Sequence, residues 1–104
     1  MIRLGILGST NGTDVVAIIK AIRSKKLSAS IEIIISNNQT AGILEKAKKY
    51  NIDHCIISHK NLVRNVFDKQ ISDKLVEKEV DLVLLIGFMR ILSPSFIDAW
   101  SNKI

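Results

Sequence analysis

Four short apolar runs alternate with segments whose apolar residues recur at helical spacing, and this alternation constrains the fold more than any other feature of the sequence. The predicted strands cover residues 2–7, 31–35, 53–57 and 82–86, and the predicted helices cover residues 13–26, 41–50, 61–79 and 94–100. Strands that alternate with helices form right-handed βαβ units. The pattern therefore predicts an α/β fold with an open, parallel, Rossmann-like sheet.

The direction of the connections predicts the order of the strands. If the first connections wind one way and the last winds the other, the order is 3-2-1-4, with helices on both faces of the sheet. The reversal between strands 1 and 4 then brings the loop at residues 8–14 beside the segment at residues 87–94. Ligands of open α/β sheets bind at such a reversal. We also expect the fourth strand, within the apolar run 80–86, to be buried on both faces.

Composition limits the class of protein. The 104 residues suffice for one core, so we predict a single domain over residues 1–104. No apolar run reaches the roughly 18 residues that would span a bilayer. A single cysteine, Cys55, excludes an internal disulfide and fits a reducing compartment. We therefore expect a soluble, cytoplasmic protein that does not bind membranes.

The net charge of +5 first suggests a nucleic-acid partner. However, the lysines are spread over several predicted helices and acidic residues are interleaved with them, as on solvated helix faces. No basic run has the interspersed aromatic residues that stack on bases. We therefore expect no nucleic-acid partner.

The glycine-rich loop at residues 8–14 matches neither the dinucleotide motif G-x-G-x-x-G nor the triphosphate motif G-x-x-x-x-G-K-[ST], and it lacks the lysine of the latter. Polar residues 36–38 stand after the second strand, where a dinucleotide site requires a carboxylate. The loop suits one phosphate, which helix N–H groups would bind, but a tight turn without a ligand explains it equally well. Thr13 or Asp14 could cap the following helix, although the Asp14 carboxylate would repel a phosphate.

Few other residues suggest chemistry. His54 and His59 have no companion at catalytic or metal-binding spacing, so we expect both to be structural or exposed. Cys55 lies within a predicted strand and is expected to be a packing residue. We therefore predict no metal site and no catalytic residue in the chain.

Residues 87–94, Gly-Phe-Met-Arg-Ile-Leu-Ser-Pro, resemble the folate-binding signature of the glycinamide ribonucleotide formyltransferase family. The loop at residues 8–13 resembles the phosphate loop of that family. Ser36-Asn37, Ala41-Gly42, and Arg64 with Phe67-Asp68 also fit its pattern. The resemblance extends from Met1 to Ile104.

The resemblance implies transfer of a formyl group from the co-substrate 10-formyltetrahydrofolate to the amine of glycinamide ribonucleotide, in purine synthesis and without a metal. It assigns binding of the ribonucleotide, through its phosphate, to Thr10, Asn11, Gly12, Thr13 and Asp14. It assigns binding of the folate to Arg64, Phe88, Met89, Arg90, Ile91 and Leu92. Asp14 departs from the asparagine expected at its position.

The catalytic residues of the family lie beyond this sequence. They are an asparagine and a histidine in an Asn-Ile-His-Pro segment, followed by an aspartate, and Asn102 lies too early to be that asparagine. The resemblance thus implies an N-terminal half that is truncated before the fifth strand. We expect residues 1–104 alone to be inactive and to self-associate through an exposed sheet edge.

Four alternatives stay open, of which the methionyl-tRNA and sugar formyltransferases fit less well because of the close match at residues 88–94. A formyltetrahydrofolate deformylase shares the fold but usually has an additional N-terminal domain, whereas this chain begins at the first strand. A non-catalytic fragment that binds a ligand or another protein would need no catalytic residues. An unrelated NAD-binding domain is disfavoured because the second strand lacks the acidic residue.

Overall fold

The computed structural model describes residues 1–58, 64–88 and 92–104, without the side chains of residues 64 and 65. The strands are β1 (Ile2–Leu7), β2 (Ala29–Ser36), β3 (His54–Ile56) and β4 (Leu82–Leu85), and the helices are α1 (Thr13–Arg23), α2 (Gly42–Lys49), α3 (Arg64–Glu77) and α4 (Pro94–Ala99). The predicted elements and their order are confirmed. Helix α1 ends three residues earlier than predicted, because Lys25 takes a left-handed conformation (φ 63°) and residues 25 and 26 donate hydrogen bonds back to the helix.

The sheet is parallel throughout, and its order, β3-β2-β1-β4, is the predicted one. Ile6 of β1 lies between Ile34 of β2 and Leu84 of β4, which fixes the register of β2 and β4 on either side of β1. The reversal of the order lies between β1 and β4, and the loops that follow these two strands therefore leave the sheet at neighbouring positions.

Alternate side chains of the strands enter two separate cores. Leu7, Ile33 and Ile35 pack with residues of α3 and α4, whereas Ile6 and Ile34 pack with residues of α1 and α2. All five side chains are at most 1% exposed. Since successive residues of a strand point to opposite faces, this division confirms helices on both faces of the sheet.

The expectation that β4 is buried on both faces is wrong. Val83 is fully buried, but Leu82 and Leu84 are only partly buried and Leu85 is 47% exposed. Among the described strands, β4 is an edge strand that pairs only with β1, so helices cover it less completely than the central strands. Its outer edge meets the chain after α4, where the Val83 N–H donates to the Lys103 carbonyl (2.5 Å).

Helix α4 begins as the sequence predicts. Ser93 is the N-cap, its Oγ accepts the Phe96 N–H (3.3 Å), and Pro94 occupies the first turn. Trp100 then donates from Nε1 to Ser72 Oγ of α3 (3.0 Å). These contacts fix α4 against α3 and so hold the end of the segment that joins β4 to α4.

Candidate functional site

The loop after β1 and the segment after β4 meet at the reversal of the sheet. The Ser9 N–H donates to the Gly87 carbonyl (3.1 Å), and the Ile86 N–H donates to the Leu7 carbonyl (2.9 Å). On the other side, the Gly8 N–H donates to the Ile35 carbonyl of β2 (3.0 Å). The convergence predicted from the strand order is therefore confirmed, and it defines the candidate site.

Gly12 is the N-cap of α1, so the expectation that Thr13 or Asp14 caps this helix is wrong. Gly12 takes a left-handed conformation (φ 66°, ψ 37°), and its carbonyl accepts the Val15 N–H (2.9 Å). Thr13 and Asp14 instead form the first two positions of the helix and are exposed. No side chain caps this end of α1, so its first N–H groups point out of the helix without a side-chain acceptor in the described part of the chain.

Close packing against α2 explains the glycine at position 12. A Cβ atom there would lie 2.5 Å from Ile43 Cγ1, and the Ile43 N–H donates to the Thr10 carbonyl (3.0 Å). Gly12 is buried, whereas Thr10 and Asn11 are exposed. The loop thus has a fixed inner side against α2 and an open outer side.

The polar residues after β2 support the loop. Ser9 Oγ donates to Asn37 Oδ1 (2.5 Å), and Asn38 forms a turn in which its N–H donates to Ser36 Oγ (3.1 Å). The Asn38 Oδ1 atom accepts both the N–H (3.1 Å) and the Oγ1 hydroxyl (2.8 Å) of Thr40. In a dinucleotide-binding site, a carboxylate at this position would bind the ribose. Here Asn37 and Asn38 instead form hydrogen bonds within the protein.

A lysine of α2, which no sequence motif indicates, contacts the loop. Lys46 Nζ donates to the Asn11 carbonyl (2.6 Å). Lys46 lies three residues after Ile43 and so on the same helix face, which is a signal that the sequence contains. The contact between this helix face and the glycine loop depends on tertiary packing. The spacing of apolar residues in the sequence does not reveal such packing.

On the other side of the site, Phe88 and Leu92 are half-buried and pack against the core beneath α3 and α4. Arg64 is the first residue of α3, and the structure describes its backbone but not its side chain. Met89, Arg90 and Ile91 lie outside the described residues. Their roles in folate binding stay predictions.

Asp68 of α3, which the sequence pattern marks without a role, fixes the start of α4. It is 2% exposed, and its Oδ2 accepts the Ser93 N–H (2.5 Å). Its Oδ1 is buried and has no hydrogen-bond partner in the described part of the chain. Because Ser93 follows Leu92, this bond anchors the candidate folate segment at its C-terminal end.

Three titratable groups outside the two loops have shifted pKa values. Cys55 is half-buried, and burial raises the pKa of its thiol above the ordinary value. On the surface, the hydrogen bond from Lys78 (3.0 Å) lowers the pKa of the Asp53 carboxyl, and the same contact raises the pKa of Lys78. His54 is exposed, and His59 lies outside the described residues.

The described residues contain neither a cluster suited to a metal ion nor a helix suited to a membrane. Nowhere in residues 1–58, 64–88 and 92–104 do three or more histidine, cysteine, aspartate or glutamate side chains gather in a group that could hold a metal ion. None of the helices in those ranges has the length and apolar character needed to cross a membrane.

Comparisons with known proteins agree on one family. A sequence model described as "Formyl transferase" matches residues 2–104. The phosphoribosylglycinamide formyltransferase of Haemophilus influenzae is 36% identical over 105 residues, with 100% of this chain and 50% of the relative covered. The human trifunctional purine biosynthetic protein adenosine-3 is 39% identical over 102 residues, with 97% of this chain and 10% of that protein covered.

Solved structures give the same result. The phosphoribosylglycinamide formyltransferase of Coxiella burnetii, in complex with CHES, superimposes with a TM-score of 0.93 at 33% identity, with 98% of this chain and 48% of that chain covered. The chain thus spans about half the length of the single-activity relatives and about a tenth of the human trifunctional protein. The match to the family model over residues 2–104 shows that the chain belongs to the formyl transferase family.

Proposed function

We propose that the protein containing this chain transfers a formyl group from 10-formyltetrahydrofolate to the amine of glycinamide ribonucleotide. The observation that supports this most directly is the contact between the two loops, in which the Ser9 N–H donates to the Gly87 carbonyl. The resemblance assigns one loop to the ribonucleotide and the other to the folate, so both substrates would bind at one reversal of the sheet. The names of the relatives in Haemophilus influenzae and Coxiella burnetii support the same activity.

The ribonucleotide would bind through its phosphate at the start of α1. The first N–H groups of a helix point outwards and carry a partial positive charge, and no side chain caps the start of α1. Exposed Thr10, Asn11 and Thr13 would add hydroxyl or amide donors. The Asp14 carboxylate repels a phosphate, so we place Asp14 against an amine or hydroxyl group of the same ligand.

The folate would bind along the segment after β4. Phe88 and Leu92 supply apolar surface on which a flat pterin can pack. By the resemblance, Met89, Arg90 and Ile91 complete the pocket, and Arg64 binds the same ligand. We propose no metal for this reaction, since its chemistry is transfer of a formyl group to an amine.

The contribution of this chain to the reaction is orientation. Holding the amine and the formyl donor in contact makes the step effectively unimolecular, which lowers the barrier by several kcal/mol, on the order of 7–11 where alignment is optimal. By the resemblance, the asparagine, histidine and aspartate that provide acid–base catalysis and stabilise the oxyanion follow residue 104. Residues 1–104 would therefore bind and orient the substrates without turnover.

This function is tested by a gain of activity. We expect residues 1–104 alone to form no formylated ribonucleotide. A chimera in which they replace the matched half of the Haemophilus influenzae relative, which this chain covers over 50% of its length, should form it. Chromatography measures the formylated ribonucleotide, which only formyl transfer gives, and tetrahydrofolate, which both formyl transfer and hydrolysis of the donor give. Product from residues 1–104 alone, or a folded chimera that releases formate instead of formylating glycinamide ribonucleotide, would contradict the proposal, and the second result would favour a deformylase.

We further propose that residues 1–104 form a single domain whose partners are small molecules and not nucleic acid. Both cores include residues of β1 and β2, so a single cooperative unfolding transition is expected, and two separate transitions would contradict it. The protein is proposed to act in the cytoplasm, where the lone Cys55 stays reduced. Detection of the protein in another cell fraction would exclude that location.

Residues 1–104 are also proposed to self-associate through the outer edge of β4 near Leu85, beyond the Val83 N–H that already donates to the Lys103 carbonyl. Leu85 is 47% exposed there, and Ile97 and Ile104 are 50% and 45% exposed. Sheet edges with apolar neighbours promote pairing between chains. Sedimentation of residues 1–104 should therefore show a mass that rises with concentration, and Leu85→Lys should reduce that rise. A constant monomer mass at millimolar concentration would refute self-association.

A further inference from the structure

We propose that Lys46 of α2 binds the phosphate of the ribonucleotide and supplies the cation that the glycine loop itself lacks. This inference rests on the proposed function. The loop has no lysine of its own, which distinguishes it from the triphosphate-binding motif. The fold provides one from another element, because Lys46 Nζ lies 2.6 Å from the Asn11 carbonyl.

Packing holds Lys46 at the loop. Ile43 lies one helical turn earlier on the same face of α2, packs against Gly12, and donates its N–H to the Thr10 carbonyl (3.0 Å). The start of α2 is therefore fixed against the loop by both an apolar and a polar contact. The ammonium group of Lys46 then lies beside Asn11, one residue before the N-cap of α1.

The ammonium group has capacity for a ligand. It carries three N–H donors, of which the Asn11 carbonyl accepts one. In the described part of the chain, carboxylates lie within 4.0 Å of Lys48, Lys69, Lys74 and Lys78, but none lies that close to Lys46. Lys46 thus differs from these surface lysines in that it contacts the candidate site and has no acidic partner there.

The charge of Lys46 also bears on the unusual Asp14. Asp14 adds a negative charge in the first turn of α1, which weakens the attraction of that helix end for a phosphate. An ammonium group on the α2 side restores positive potential at the loop, and its hydrogen bonds to phosphate oxygens would be charge-assisted. We therefore expect Lys46 to matter for phosphorylated ligands and not for ligands without a phosphate.

The test compares dissociation constants of the full chain for glycinamide ribonucleotide and for the corresponding riboside, which lacks the phosphate. We expect Lys46→Gln to weaken ribonucleotide binding about tenfold and to leave riboside binding unchanged. Lys46→Arg, which keeps the charge, should stay within about threefold of the original. Lys48→Gln is the matched control, because it removes the same charge from the same helix at a residue that pairs with Glu45 (3.6 Å).

The outcomes separate the two proposals. If the original chain binds ribonucleotide and riboside equally, the phosphate site of the proposed function fails. If it prefers the ribonucleotide and Lys46→Gln does not change that preference, only the role of Lys46 is overturned. Equal weakening of both ligands by Lys46→Gln also overturns it, since Lys46 then acts only by supporting Asn11.

A second measurement does not depend on how the variants fold. In the unsubstituted chain, inorganic phosphate should shift the Nζ resonance of Lys46 in a nitrogen-15 NMR spectrum and leave that of Lys48 unchanged. Equal shifts of both resonances, or a shift of neither, would contradict the proposal.

Discussion

Gly12→Val is expected to lower the free energy of unfolding by about 3 kcal/mol and to abolish binding of the phosphorylated ligand. The first cause is the backbone, because a residue with a Cβ in the left-handed conformation of Gly12 (φ 66°) costs roughly 1–2 kcal/mol. The second is overpacking, since the new Cβ would lie 2.5 Å from Ile43 Cγ1 and such clashes cost about 1–3 kcal/mol. Urea denaturation followed by circular dichroism measures the change.

Thr13→Val is the matched control for this substitution. It introduces the same side chain at the next residue, which is exposed and already helical, so we expect a change in stability within about 0.5 kcal/mol. If the two variants unfold at the same urea concentration, the loop is not held against Ile43 as described. If Gly12→Val is destabilised but binds the phosphorylated ligand as before, the loop is not the phosphate site.

The sheet could be predicted from the sequence because its signals are local and repeat. The strand predicted at residues 31–35 is present, and in the structure Ile34 packs with α1 and α2 while Ile33 and Ile35 pack with α3 and α4. Burial on both faces was predicted for the fourth strand, and there the prediction failed. All four residues of β4 are apolar, but β4 is an edge strand in the described sheet, and apolar composition does not distinguish an edge from a centre.

The candidate site could be predicted only in part, because some of its contacts join residues that are distant in the sequence. The strand order placed residues 8–14 beside residues 87–94, and the hydrogen bond from Ser9 to Gly87 confirms that proximity. The contacts that shape the loop join residues far apart in sequence, as in the bond from Lys46 to Asn11 and that from Ser93 to Asp68. Such bonds depend on how helices dock, and neither periodicity nor a local motif encodes them.

Substitution of Asp68 is expected to lower both the stability of the chain and its affinity for the folate. Asp68→Ala is expected to lower the free energy of unfolding by about 3 kcal/mol, because a buried N–H that loses its acceptor costs roughly 1–3 kcal/mol and the truncated side chain leaves a cavity. The affected N–H is that of Ser93, which is 1% exposed and follows the candidate folate segment directly. The same variant should therefore weaken folate binding more than ribonucleotide binding.

Two further variants separate this anchor from a general effect of charge on α3. Asp68→Asn keeps an oxygen that can accept the Ser93 N–H, so it should retain most of the stability and of the folate affinity that Asp68→Ala loses. Asp73→Ala removes an exposed carboxylate of the same helix that pairs with Lys69 (3.0 Å), and surface pairs contribute about 0–1 kcal/mol. Urea denaturation and titration with each substrate measure all three variants. Equal losses for Asp68→Ala and Asp73→Ala would mean that the bond to Ser93 does not hold the folate segment, whereas loss confined to Asp68→Ala would mean that α3 positions that segment through one buried oxygen.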